Sequence, residues 1–255
     1  MSLYFASLGS GSRGNATLVR SENTLLLVDN GFTIRETERR LQQLGYDVEQ
    51  LDAILVTHEH SDHIKGVGPL ARKYQLPVYA THGTAQHDGL GRLPQLIDIN
   101  PHRPFRIEDI DINPVAVPHD AREPCQFVFC HAGVRVGLLT DLGSITPFVV
   151  EQYRACDALM LECNHDPAML SMGPYPPSLK RRVGSHWGHL SNQQAAMLLE
   201  QIDSRRLQHL VISHISEMNN TEQLAREAVT TVCGDGPLHM ATQDQGLDWQ
   251  EVLPG

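Results

Sequence analysis

A short apolar run, Ala53-Ile54-Leu55-Val56, stops at Thr57-His58-Glu59-His60-Ser61-Asp62-His63, a segment with three histidines and two acids. The run is partly β-branched and has no polar residue, so it reads as an interior strand. Ligand-type side chains then sit where that strand gives way to a loop. His58 and His60, two residues apart, point the same way, and Asp62 and His63 lie one turn further on, facing a second point. Two adjacent metal ions suit this arrangement better than one. Borderline divalent metals take imidazole nitrogen and carboxylate oxygen, and a catalytic site keeps a coordination position for water. The plainer reading, a solvated polar loop, has to gather four potential ligands into six residues by chance.

The segment resembles the HxHxDH signature of the metallo-β-lactamase superfamily, which is specific when it follows a strand. The resemblance implies an α/β fold of the αββα sandwich type, two mixed sheets with helices on the outer faces.

At 255 residues and 41% hydrophobic, the chain can bury one large core or two small ones. With no Pro/Ser/Gly linker, a single hydrolase domain over residues 1–255 is the expectation. No apolar run approaches the ~20 residues needed to span a bilayer. The opening Met1-Ser2-Leu3-Tyr4-Phe5 has neither a basic region nor a long apolar one, unlike a signal peptide, so a cytoplasmic protein is expected. Five cysteines, Cys125, Cys130, Cys156, Cys163 and Cys233, show no CxxC spacing and read as reduced thiols. The formal net charge of -10 argues against a general polyanion-coating protein. A local nucleic-acid groove stays open, because screening confines charge effects to roughly 8 Å at physiological salt.

Leu3 to Leu8 and Ala16 to Arg20 read as strands flanking Gly9-Ser10-Gly11-Ser12-Arg13-Gly14-Asn15, whose backbone amides could meet an anion beside Ser10, Ser12, Arg13 and Asn15. Thr24 to Asp29 is a buried strand, and Asn30 stands where a small residue is expected next. Thr33 with Glu36 forms a capping box for a helix that Gly45 stops. A helix from about Ile64 to Tyr74 and a strand over Pro77 to Ala80 follow. Leu93 to Pro118, with five prolines, suggests short strands of a second sheet. It ends at His119, a histidine at a strand terminus and the form of a further ligand. Two strands, Gln126 to His131 and Val134 to Thr140, lead to Asp141. Its carboxylate can bridge two metals, or cap a helix near Ile145 to Ala155. The strand Asp157 to Leu161 delivers Glu162. Lys180-Arg181-Arg182 could meet phosphates or simply form a solvated helix face. Ser191 with Gln194 is another capping box, and the last strand, Leu210 to Ser213, ends at His214.

Several stretches are similar to the YycJ/WalJ-like branch of the superfamily: Ala6 to Ala16, Leu70 to Pro77, Glu162 to Asp166, Gly188 to Asn192, and Ser213 to Ser216 with Asn219-Asn220. That branch is described as metal-dependent exonucleases acting on DNA, related to ribonucleases Z and J. The resemblance implies one metal on His58, His60 and His119, a second on Asp62, His63 and His214, and Asp141 as the bridge. The ligand types suit Zn²⁺, and also Mn²⁺ or Fe²⁺. It further implies phosphodiester hydrolysis by a metal-bridging hydroxide, with Asp62 orienting the water that gives it or accepting that water's proton. His189 resembles the histidine of a GH[ST]-type motif that protonates the leaving oxygen, with Glu162 to orient it. His186 and His165 are lesser candidates, and Trp187 reads as core packing or a base-stacking surface. The other six histidines read as structural or surface residues. The chain has no room for the large inserted domain of ribonuclease J, so substrate contacts fall to local loops: Ser10, Ser12, Arg13, Asn15, Lys180 and Arg182. DNA is the expected substrate and no stable protein partner is indicated. A small-molecule hydrolase acting on a cyclic phosphodiester, lactone or thioester is the alternative. A regulatory protein that merely kept the fold would have lost ligands, and all seven positions are filled.

Overall fold

The computed structural model describes residues 2–234 and 236–255. The first half contains β1 (Leu3–Gly9), β2 (Ala16–Arg20), β3 (Leu25–Val28), α1 (Ile34–Gln43), β4 (Ala53–Leu55), α2 (Ser61–Ile64), α3 (Val67–Tyr74), β5 (Pro77–Thr81), α4 (His82–Ala85) and β6 (Gln95–Ile99). The second contains β7 (Phe105–Ile107), β8 (Ile110–Ala116), β9 (Cys125–His131), β10 (Val134–Leu139), α5 (Pro147–Tyr153), β11 (Ala158–Glu162), α6 (Pro167–Met172), α7 (Pro177–Val183), α8 (Asn192–Gln201), β12 (His209–Ser213), α9 (Glu222–Cys233), β13 (Leu238–Met240) and β14 (Leu247–Val252). They build two seven-stranded sheets, in the orders β14-β1-β2-β3-β4-β5-β6 and β13-β12-β11-β10-β9-β8-β7. β14 crosses back to the first sheet, where Val252 pairs with Leu3.

The apolar runs are continuous because both faces of these strands are covered. Successive side chains alternate between two cores, as strand geometry requires. Leu26, Val28 and Leu55 face the space between the sheets, where they meet Phe127, Phe129, Met160 and Val211. Leu25, Leu27 and Ile54 face outward onto Leu41 of α1 and Val67 and Leu70 of α3. On the second sheet Leu159, Leu161, Leu210 and Ile212 pack outward against α5, α8 and α9. This is the expected αββα sandwich. β3 to β6 run parallel, as do β10 to β13. In such sheets ligands gather beyond the carboxyl ends of the strands.

Four local expectations change. β6 pairs with β5 from Pro77↔Gln95 to Thr81↔Ile99 and so extends the first sheet; only β7 and β8 of the 93–118 stretch enter the second. A short apolar pattern marks a strand but not its sheet, and here the crossover through α4 returns the chain parallel to β5. The helix expected over 64–74 breaks into α2 and α3. At the break, Gly66 donates to Asn30 O at 2.8 Å, and a Cβ there would meet Phe32 O at 1.9 Å, so the two loops pack backbone against backbone. Thr33 accepts from Glu36 N, but the Glu36 carboxylate turns to Arg39 and Arg40 instead of completing the box. α5 is capped by Thr146 with Pro147 behind it, which leaves Asp141 free of that duty. The Ser191–Gln194 box forms in both directions, and Gly45 follows α1 at φ +83. Among the described residues no helix is long and apolar enough to cross a membrane.

Candidate metal centre

Five strand ends converge. β4 runs into the loop bearing His58, His60, Asp62 and His63, β8 leads to His119, β10 to Asp141, β11 ends in Glu162 and β12 leads to His214. Four overlapping groups bring donor atoms within 4.8 Å of one another: His58, His60 and His119; Asp62, His63 and His214; His58, His63 and Asp141; and Asp141, Glu162, His189 and His214. Donors held tetrahedrally at ~2.1 Å from one ion lie ~3.4 Å apart. His119 Nε2 is 3.3 Å from His60 Nδ1, and Asp62 Oδ2 is 3.5 Å from His63 Nε2 and 3.6 Å from His214 Nε2. The Asp141 carboxylate lies among these sets, Oδ2 3.3 Å from His63 Nε2 and Oδ1 3.4 Å from His214 Nδ1, 3.5 Å from His189 Nδ1 and 3.9 Å from His119 Nε2.

The buried donors are orphaned in a telling way. His58 Nε2, His214 Nε2 and both oxygens of Asp141 have no hydrogen-bond partner, a costly state for groups this buried. Divalent cations would satisfy all four, so the residues present fit metal ions. The opposite ring nitrogens, by contrast, are all engaged. His58 Nδ1 meets Thr57 Oγ1 at 3.0 Å, His60 Nε2 meets Asp120 O at 3.2 Å, His63 Nδ1 meets Asp29 Oδ2 at 2.8 Å, His119 Nδ1 meets Gly188 O at 2.9 Å and His214 Nδ1 meets Glu162 Oε1 at 3.1 Å. Such outer contacts fix tautomer and ring orientation in metal sites.

The imidazoles of the site differ in their affinity for a proton. Burial opposes protonation of His214, yet Asp141, Asp62 and Glu162 outweigh it and lift its pKa to about 10. His63 is raised in the same way by Asp141, Asp62 and Asp29. Burial and three neighbouring imidazoles push His58 down. Burial also opposes ionisation of Glu162, but His189 and His214 hold it down to about 2. Glu162 and Asp62, the latter held low by His63 and His214 against its burial, therefore stay anionic. Chelation of the purified protein is expected to lower its melting temperature by about 5 °C or more, since a ligand at 100 times its Kd contributes ~2.7 kcal/mol. Scanning calorimetry with and without a chelator measures this; an unchanged transition would argue against a metal centre.

The donors open onto a cavity of about 350 Å³ lined by Ser12, Asn164, Tyr175, Arg182, His189 and Ser216, among others. His189 Nδ1 donates to Glu162 Oε1 at 2.6 Å, and the other Glu162 oxygen accepts from Leu142 N and Leu190 N. That leaves His189 Nε2 as the ring nitrogen available to the cavity.

The beta-lactamase superfamily domain matches residues 24–215 of this chain. The exodeoxyribonuclease YycJ of Bacillus anthracis is 38% identical over 238 residues, 91% of this chain and 89% of that protein. The chain belongs to the metallo-β-lactamase superfamily, in its YycJ/WalJ-like branch. It is a metal-dependent hydrolase of that family. The exodeoxyribonuclease WalJ of Streptococcus pneumoniae is 35% identical over 227 residues, covering 87% of this chain and 84% of that one. In three dimensions the metallo-β-lactamase fold protein YhfI of Bacillus subtilis superposes with a TM-score of 0.76 at 20% identity, over 98% of this chain and all of that one.

Within this metallo-β-lactamase fold the expected substrate residues separate. Ser12 and Arg182 line the cavity. Arg182 pairs with Asp120, while Lys180 turns away to Ser171 O. Ser10 and Asn15 are buried supports instead. Ser10 Oγ accepts from His214 N, and Asn15 Nδ2 donates to Asp62 Oδ2 at 3.1 Å. Arg13 points elsewhere, to Glu217 and Asp244. The glycine-loop amides are occupied internally: Gly11 N reaches Asn15 Oδ1, Arg13 N reaches Gln243 Oε1 and Asn15 N reaches Asp62 O. His165 is buried, and burial lowers its pKa to about 4; His186 and Trp187 lie exposed, so Trp187 is not a core residue. All five cysteines are free, and burial raises the Cys163 thiol. Two supports went unassigned from sequence. Asp29, at φ +59, accepts from Thr57 N, Thr57 Oγ1 and His63 Nδ1. Its signal, an acid ending an apolar strand, was the same one that marked Asp141. Asn30 is the other: it accepts from Thr37 Oγ1 and its N donates to His63 O at 2.7 Å.

Proposed function

We propose that this hydrolase is a binuclear phosphodiesterase that removes nucleotides from the end of a DNA strand. The observation that carries the reading is Asp141, a buried carboxylate with both oxygens unpartnered that sits among His63, His119, His189 and His214, with the His189–Glu162 pair opening onto the same cavity. His58, His60 and His119 would hold one ion, Asp62, His63 and His214 the other, with zinc the best match and manganese or iron also suited to the donors. Two such ions lower the pKa of water toward ~7 and neutralise charge developing on a phosphoryl group.

The chain's own residues supply the rest. Asp62, anchored by Asn15 through Oδ2, orients the attacking water and takes its proton. Glu162 holds His189 by Nδ1, so that Nε2 gives a proton to the leaving oxygen. Arg182 exchanges Asp120 for a substrate phosphate, since guanidinium binds either anion through paired donors. DNA as the substrate is supported by likeness to the YycJ and WalJ exodeoxyribonucleases over most of the chain. The cavity volume also falls at the small end of ligand pockets, ~300–1,000 Å³, which suits one terminal nucleotide and equally favours a small cyclic phosphodiester as the second reading.

The test incubates Mn²⁺- or Zn²⁺-loaded protein with end-labelled single- and double-stranded DNA and RNA, beside a cyclic phosphodiester and a thioester. Stepwise shortening of DNA, abolished in Asp62→Ala, is expected; turnover of the small substrates alone would transfer the protein to the second reading. His189→Ala is expected to lower kcat on DNA by ~10²- to 10⁴-fold, the range for losing a general acid. Its effect on bis(p-nitrophenyl) phosphate should be far smaller, because that leaving group needs no proton. Equal losses on both would remove His189 from the acid role.

A further inference from the structure

The cavity has two unlike walls. One is the polar donor set already described. The other is built by α7 and the turn before it: Leu179, Arg182 and Val183 line the cavity together with Tyr175. Positions i, i+3 and i+4 share one face of a helix, so this face of α7 looks into the cavity, while Lys180 bonds to Ser171 O outside it. α7 buries no residue, and neither Leu179 nor Val183 joins any of the apolar clusters of the fold. The Tyr175 hydroxyl makes no hydrogen bond among the described residues. The helix thus turns an apolar face, with an aromatic ring beside it, into an open cavity.

We propose that Tyr175, flanked by Leu179 and Val183, is the stacking platform for the base of the terminal nucleotide. The inference rests on the phosphodiesterase reading above and names how that site holds its substrate. Charge decides the kind of occupant. The platform shares its cavity with Arg182, whose only salt-bridge partner among the described residues is Asp120, and with donor sets that would hold cations. An anion with a flat apolar part fits both walls: phosphate toward Arg182 and the ions, base against Tyr175. Stacking accepts any base because each has a π-face, so the platform tolerates sequence.

The test uses the full chain and single-stranded oligonucleotides carrying 2-aminopurine, whose fluorescence is quenched on stacking, at the terminal or a central position. Cleavage is followed in the same samples. Wild type and Tyr175→Phe are expected to quench the terminal probe and leave the central one bright. Tyr175→Ala is expected to lose that quenching, weaken binding about 10- to 100-fold and raise KM on the oligonucleotide far more than it lowers kcat. It should also erase the wild-type preference for a normal over an abasic end. Quenching that depends on Tyr175 without any cleavage would uphold the platform and overturn the phosphodiesterase reading. Cleavage that is indifferent to Tyr175→Ala, with the terminal probe unquenched, would overturn the platform alone. Neither quenching nor cleavage would overturn both.

Discussion

Asp141→Ala is expected to bring the metal content of the purified protein well below that of the wild type and to abolish turnover, with the secondary structure intact. The carboxylate is buried, neither oxygen has a hydrogen-bond partner, and it sits among His63 and His214 of one histidine group and His119 of the other. Removing it deprives both proposed ion sites of a ligand at once. The loss of affinity should exceed the ~10- to 100-fold that follows loss of an outer contact. Removing Asp29, which braces His63 and Thr57 from outside the donor sets, should stay within that smaller range. Elemental analysis after dialysis, together with far-ultraviolet circular dichroism, separates loss of metal from loss of fold. An Asp141→Ala protein that retained its full metal content would end the role proposed for Asp141.

Gly31→Ala should be nearly as damaging through a different cause. A Cβ at Gly31 would lie 2.0 Å from Asp62 O and 2.6 Å from both Asp62 C and Gly14 Cα. All three are backbone atoms, so no rotamer can give way. Asp62 O also accepts from Asn15 N, and Gly31 N donates to Asn15 O, so three loops meet at this point. Parting them is expected to lower stability by about 3 kcal/mol, the upper range for overpacking. It would also displace Asp62 and the histidines beside it. A shift near 1 Å at a reacting group costs ~10²-fold in rate. Gly45→Ala is the control: it sits at φ +83 with nothing within 4 Å of the added Cβ. Its cost should stay at ~1–2 kcal/mol, the penalty for a left-handed alanine, with turnover unchanged. Urea unfolding and steady-state kinetics on both variants measure the contrast.

Some of the supporting structure was legible early, and some was not, for one recurring reason. Gln194 and Ser191 cap each other across three residues, and such local signals survive any tertiary setting. Glu36 shows the limit: its caps were in place, but two arginines on the next turn competed successfully for the carboxylate. Arg13 is a stronger case. In the sequence it belongs to a glycine-rich loop suited to phosphate, yet its partners, Glu217 and Asp244, are more than 200 residues away. Of the three adjacent basic residues 180–182, only helix phase against the cavity singles out Arg182.

The sequence by itself determined the superfamily, the αββα class and the strand-end positions of the histidines and acids. Hydrophobic period and ligand spacing are set within a few neighbouring residues, and they persist wherever the segment is packed. Only the tertiary structure decided which sheet received β6, that Asp29 and Asn30 brace the histidine loop, that Ser10 and Asn15 support ligands from within, and that α7 turns an uncovered apolar face toward the same cavity. Those outcomes depend on pairs far apart in the chain. They are selected when two sheets close over a shared core, a condition that no local stretch of sequence records.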